Sequence, residues 1–137
     1  MQPNVEMSSY ILFQLDIAKE DLECTLYLID GEKYRIALNR AYYCIFHCLK
    51  ALAVLYDKNF AKHSGYISFF QKEFVKTGIF AKELSKIVMD CKRLRESGDY
   101  GDMSIVSKDT AVNAYEDAQV FYEALSAYIR EQLDIAY

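Results

Sequence analysis

Nothing after Pro3 in this 137-residue chain breaks a helix by ring geometry, and its five glycines stand singly at positions 31, 65, 78, 98 and 101. A chain so poor in turn formers has few ways to reverse direction. It is expected to fold as a small number of long helices joined by short links. Apolar residues make up 53% of the chain, and a chain of this size buries roughly two thirds of its surface in one core without staples. The reading is therefore a single all-α domain over 1–137, an up-and-down bundle of four to five helices, with 1–7 as a flexible tail.

The glycines mark off the helices. The first is expected from Ser8 or Ser9 to about Ile29, with Ala18, Leu22, Thr25, Leu26 and Ile29 as its inward stripe, ending where Gly31 takes a left-handed cap. The second runs from about Glu32 to Tyr56. Its stripe Ala37, Ala41, Cys44, Cys48, Ala51 and Leu55 is a seam of mostly small side chains that admits the first helix, antiparallel, at close range. After a polar loop from Asp57 to His63, Ser64 is expected to cap a third helix over Gly65–Thr77, with Ile67, Phe70 and Phe74 inward. A fourth is expected from Phe80 to Ser97, then a turn over Gly98–Asp102, and a fifth over Ser107–Asp134. Cys24, Cys44, Cys48 and Cys91 fall in apolar helical patterns and read as buried thiols of a reducing compartment. No signal-peptide pattern and no membrane-length apolar run is present, so a soluble, cytoplasmic protein without a membrane partner is expected.

The net charge is −4 but uneven. Residues 58–95 carry nine Lys/Arg against three Asp/Glu, while both flanks are acidic. A basic middle suits an anionic partner; the overall sign argues against strong non-specific nucleic-acid binding, and solvated helix faces are the plainer account.

Chemistry concentrates in helix 2. Arg40 and His47 are seven residues apart, ~20° short of two full turns, so both emerge from one face with Tyr43 between them. This stripe lies ~100° around the helix from the small-residue seam. A neutral imidazole takes a proton from a ribose 2′-hydroxyl or returns one to a leaving oxygen, and a guanidinium beside it neutralises phosphate charge. A second copy across a two-fold axis would complete such a site. The alternative is structural: an ion-paired Arg40 and a satisfied, partly buried His47. Lys62 and His63 stand just before a helix start, where phosphate is favoured, though a solvated loop fits them as well. Arg95 and Asp99, at i, i+4, either pair with each other near Tyr100 or leave the acid for a tertiary contact such as Arg40. Cys44, His47 and Cys48 lack a second clustered pair, so neither a metal nor a cofactor is expected.

The succession Arg40-Ala41-Tyr42-Tyr43, Phe46-His47, Lys62-His63-Ser64-Gly65, Phe74–Gly78, Arg95, Asp99-Tyr100-Gly101 and Ala118–Phe121 resembles the HEPN superfamily, in particular its small stand-alone prokaryotic branch. The resemblance spans about Ala18 to Tyr128. It implies a helical bundle that dimerises with its Arg–His helices facing each other. Many such proteins are ribonucleases with an Arg-x(4–6)-His motif, acting as toxins, in phage defence or in RNA processing; some are encoded beside a minimal nucleotidyltransferase antitoxin. Others are inactive modules that bind a partner or a nucleotide. Here six residues separate Arg40 from His47, and Ala41 stands where a polar residue usually follows the arginine. The resemblance makes Arg40 and His47 the catalytic pair of a metal-independent endoribonuclease, with Tyr43, Lys62 and His63 toward the RNA and Arg95, Asp99 and Tyr100 in support.

Overall fold

A computed structural model describes residues 2–100 and 105–136, with side chains over 2–97 and 105–134. It is an all-α bundle: α1 (Ser8–Asp30), α2 (Tyr34–Leu55), α3 (His63–Phe70), α4 (Lys82–Tyr100) and α5 (Lys108–Ala136). A 3₁₀ turn, Val5–Met7, precedes α1, and a π-helical turn, Gln71–Val75, extends α3. Among the described residues there is no strand.

The bundle is built around α2, which packs most extensively on α1 and also meets α3, α4 and α5. The expected seam is real: Ala37, Ala41, Cys44, Cys48, Ala51 and Leu55 are all fully buried. Side chains that small let neighbouring backbones approach closely, so α2 is enclosed on several sides at once. Its flank Leu38, Tyr42, Ile45, Leu49 and Leu52 is buried as well. Phe70, Phe74 and Phe80 close one end of the core in ring contact with Phe121 and Tyr128 of α5. Ala111, Ala114, Ala118, Phe121, Leu125 and Ile129 form the inward stripe of α5, and Ser107 caps that helix by accepting the Thr110 amide at 3.1 Å.

Several expectations need correction. Gly31 does not supply the left-handed cap: its φ is −86°, and Glu32 takes the turn at φ 60°. The Glu32 and Lys33 amides reach the carbonyls of Ile29 and Leu28, which places the left-handed residue one position after the glycine. The same pair of bonds closes α2 around Asp57 at φ 59°. Helix α3 begins at His63 behind an extended Lys62, so Ser64 lies inside its first turn instead of capping it. Gly65 earns its place by close approach, since a Cβ there would sit 2.7 Å from the Phe60 Cβ. Phe80 lies before α4, its amide bonded to the Phe74 carbonyl, and α4 runs on through Gly98 to Tyr100 where a turn was expected. Leu26 and Cys24 are exposed: Cys24 lies ~100° or more around α1 from Ala18, Leu22 and Thr25, while Leu26 stands at the margin of that stripe, ~40° beyond Leu22. At the other end of the chain, the Asn4 amide donates to the Leu55 carbonyl at 2.6 Å, at the C-terminus of α2.

Candidate functional site

With α2 enclosed, one stripe of it reaches solvent: Ile36, Arg40, Tyr43, His47, Lys50 and Val54 are each exposed or half-buried. Arg40 and His47 therefore share the surface-facing side of the central helix, with Tyr43 between them. Across from them, α1 runs antiparallel and presents Asp21 and Gln14, also seven residues apart. Asp21 meets Arg40, with Nη1 donating to Oδ1 at 3.2 Å. Gln14 meets His47, with Nδ1 2.8 Å from Oε1. Two pairs two turns apart thus lock the α1–α2 register at the site.

The bond to Gln14 fixes the imidazole. An amide oxygen only accepts, so Nδ1 carries the proton and, in the neutral ring, Nε2 holds the lone pair. Burial, then the cations Lys50, Arg40 and His63, hold the His47 pKa below the ordinary imidazole value of 6.5. The ring is therefore largely neutral and basic at Nε2 near pH 7. Nε2 lies 3.8 Å from Asp21 Oδ2, which has no hydrogen-bond partner among the described residues. A proton arriving on Nε2 would find a carboxylate already facing it. Burial raises the Asp21 pKa, and Arg40 works against that rise.

Arg40 is held on three sides. Besides Asp21, its Nη2 donates to Asn39 Oδ1 at 2.8 Å, and its guanidinium lies 4.9 Å from the Tyr43 ring centre. Ala41, where a polar residue follows the arginine in the resemblance, is fully buried in the seam. The polar neighbour of Arg40 is instead the residue before it, Asn39.

The second rank is aromatic. His63 stacks on Phe46 with ring centres 3.9 Å apart, and its Nδ1 is 3.1 Å from the Tyr42 hydroxyl. Burial, with Arg95 and Lys50, lowers its pKa. Arg95 reaches across from α4 to both tyrosines, 5.2 Å from the Tyr42 ring centre and 5.3 Å from that of Tyr43, and Nη2 is 3.4 Å from the Tyr43 hydroxyl. Of the residues singled out from sequence, Arg40, Tyr43, His47, His63 and Arg95 are thus brought together. Lys62 is exposed before α3, and no described hydrogen bond or ion pair joins it to the group. Asp99 and Tyr100 lie in the last turn of α4, outside the described side chains. Arg40 finds its carboxylate in Asp21, which sequence reasoning missed along with Gln14. Among the described residues, no three of His, Cys, Asp and Glu converge as a metal-ligand set, and no helix is long and apolar enough to cross a membrane.

A helical bundle carrying an Arg–His stripe on its central helix defines a class, and the comparisons with known proteins identify it. Residues 12–129 match the HEPN domain family, and the chain belongs to that family. It is 33% identical to a UPF0332 protein of Thermotoga maritima over 83% of this chain and 86% of that one. It is also similar to two Methanocaldococcus jannaschii proteins that carry the name "Putative toxin": 31% identical over 95% of this chain and 96% of the first, and 30% identical over 84% and 78% for the second.

Proposed function

We propose that this protein is a cytoplasmic, metal-independent endoribonuclease of the toxin type that acts as a homodimer, held in check by a minimal nucleotidyltransferase antitoxin. The observation that carries the reading is the state of His47: proton fixed on Nδ1 by Gln14, pKa lowered, and a basic Nε2 on the open stripe beside Arg40. Nε2 takes the proton of a ribose 2′-hydroxyl, and the 2′-oxygen forms its bond to phosphorus as the bond to the 5′-oxygen breaks. The products are a 2′,3′-cyclic phosphate and a 5′-hydroxyl. Arg40 meets the charge building on the phosphate oxygens, and Asp21 faces the imidazolium that forms. The leaving 5′-oxygen takes its proton back from the imidazolium so formed, and the second copy completes the cleft around the phosphate. The names of the Methanocaldococcus jannaschii relatives support the toxin reading.

One observation favours a second reading. Arg40 is already engaged by Asp21 and Asn39, as in a structural ion pair. In that case the stripe is a non-catalytic face that binds a nucleotidyltransferase or a nucleotide. Incubating the protein with total RNA in EDTA separates the two. Cleavage by the parent, lost in His47→Ala and Arg40→Ala, is the expected result; identical RNA profiles for all three proteins would leave the binding module. A strict monomer in sedimentation would refute the composite dimer site.

A further inference from the structure

The exposed stripe of α2 does not stop at His47. Lys50 and Val54 continue it, one and two turns further on, and both line a cavity of about 370 Å³ together with Met7, Tyr10, Asp57, Lys58 and Asn59. Lys58 also lines a second cavity of about 470 Å³, whose wall is largely apolar: Phe60 and Phe69, with Lys72 and Glu73 beside them. The two cavities therefore share a lysine, and the first continues the stripe that carries His47. The left-handed turn at Asp57 produces this arrangement, because it closes α2 and sends Lys58 and Asn59 out beside the helix end. Phe60 is held by Tyr66 and Phe69 at ring-centre distances of 5.1 and 5.7 Å. Lys50 acts electrostatically on both His47 and His63, which puts its ammonium within range of the reacting end as well as the first cavity.

We propose that these two cavities form a track for single-stranded RNA flanking the scissile phosphate, with Lys50 and Lys58 on successive phosphates and the Phe60–Phe69 cavity taking a base. This inference rests on the ribonuclease reading and extends it. Single strands are held by a cationic groove that follows the backbone, together with aromatic faces that stack bases without strict sequence preference. The first cavity sets two lysines in a mixed polar and apolar wall, and the second sets two lysines beside aromatic rings, which matches that division. The track also gives a use to the basic middle segment, through Lys58 and Lys72, on a chain of net charge −4. Because Asp57 and Glu73 border the cavities, binding is expected to be moderate and strongly salt-dependent.

The test is direct binding of a fluorescently labelled single-stranded RNA of about ten nucleotides to His47→Ala, followed by anisotropy across a salt series. Lys50→Ala, Lys58→Ala and Lys72→Ala are each added to that background, with Lys19→Ala as control; Lys19 is exposed on α1 and lines neither cavity. Lys50→Ala and Lys58→Ala are expected to weaken binding about three- to tenfold and to reduce the slope of log affinity against log salt by about 0.7 each. Lys72→Ala should weaken binding less, and Lys19→Ala should leave it unchanged. Circular dichroism melts keep folding separate from binding. If all four lysine variants bind like the background, or if the background binds no RNA, the track is overturned. Cleavage of total RNA by the unsubstituted protein would then still stand as evidence for the ribonuclease.

Discussion

The hydrogen bond between Gln14 and His47 sets the proton state of the imidazole, so replacing the amide by a carboxylate should reset it. In Gln14→Glu the new oxygens lie where Oε1 now stands, 2.8 Å from Nδ1. The charge centres would then be ~4 Å apart, and at an effective dielectric constant of ~20 that attraction is about 4 kcal/mol, an upper bound near three pH units. Gln14 is 5% exposed, so burial will oppose ionisation of the introduced carboxylate and reduce the gain. The net effect on His47 is a raised pKa. His47, now below 6.5 through burial and the cations Lys50, Arg40 and His63, should titrate higher in the variant than in the parent. An NMR titration of the His47 ring protons reads this without reference to activity. The pH dependence of stability should move with it. In the parent, the folded state binds fewer protons at His47 than the unfolded chain, so stability is lost as pH falls from 6.5 through the folded value. In the variant that loss should shrink as the folded value rises, and it reverses, to a contribution lost as pH rises, once the folded value passes 6.5. RNA cleavage should likewise lose its activity at mildly acidic pH sooner than the parent does. A His47 midpoint in Gln14→Glu no higher than the parent's would refute the contact between the two side chains.

Other consequences follow from the same geometry. Asp21→Asn releases Arg40 from its carboxylate, so RNA affinity should rise severalfold and the salt slope steepen by about 0.7. Because burial already disfavours the charged Asp21, the variant should lose less than about 1 kcal/mol in urea unfolding; a loss above 3 would show that Asp21 is chiefly a structural ion-pair partner. Glu32→Gly removes a side chain from a left-handed residue and should stabilise the fold by about 1 kcal/mol, while Gly31→Ala, at negative φ with ordinary contacts, should be close to neutral. Thermal melts giving the opposite order would contradict the assigned cap. Native protein should react quickly with a thiol reagent at Cys24 alone: Cys44 and Cys91 are buried with raised pKa, Cys91 to about 12, and Cys48 is fully buried. Mass spectrometry showing several rapid modifications would contradict the packing of α2.

What the sequence revealed follows from how each feature is encoded. The seam of α2 was legible because small residues at alternating steps of three and four imply one face and close approach, whatever the neighbour is. The seven-residue step from Arg40 to His47 was legible for the same reason. Asp21 and Gln14 were not, because each is a single polar residue among apolar neighbours on a stripe read for its hydrophobicity. A signal did exist: two polar residues at inward positions, at the same seven-residue step as the pair they meet. Cys24 reads as buried from its residue type alone, although Thr25, Leu22 and Ala18 fix the buried direction of α1 ~100° or more away; Leu26 fits the spacing but lies at the margin of the stripe, where the core ends. The cap at Glu32 ran against propensity, since glycine is the usual left-handed residue and here it falls one position early. Gly98 was read as a stop, but a single glycine weakens a helix by only about 1 kcal/mol, less than the packing of α4 on α2 and α5 supplies.

The enclosure of α2 also bears on how such a protein can vary over time. A helix on the rim of a bundle has an outer face where substitutions drift with little effect. Helix α2 has no comparable face: its side chains either fill the interior or stand on the stripe that carries Arg40, Tyr43, His47 and Lys50. Its permissive positions should be few, and confined to its first turn, where Arg35 and Ile36 are exposed. A saturation library of α2 scored separately for abundance and for RNA cleavage should therefore split into two nearly complementary sets of intolerant positions, while the same library on α1 or α5 leaves a broad neutral remainder.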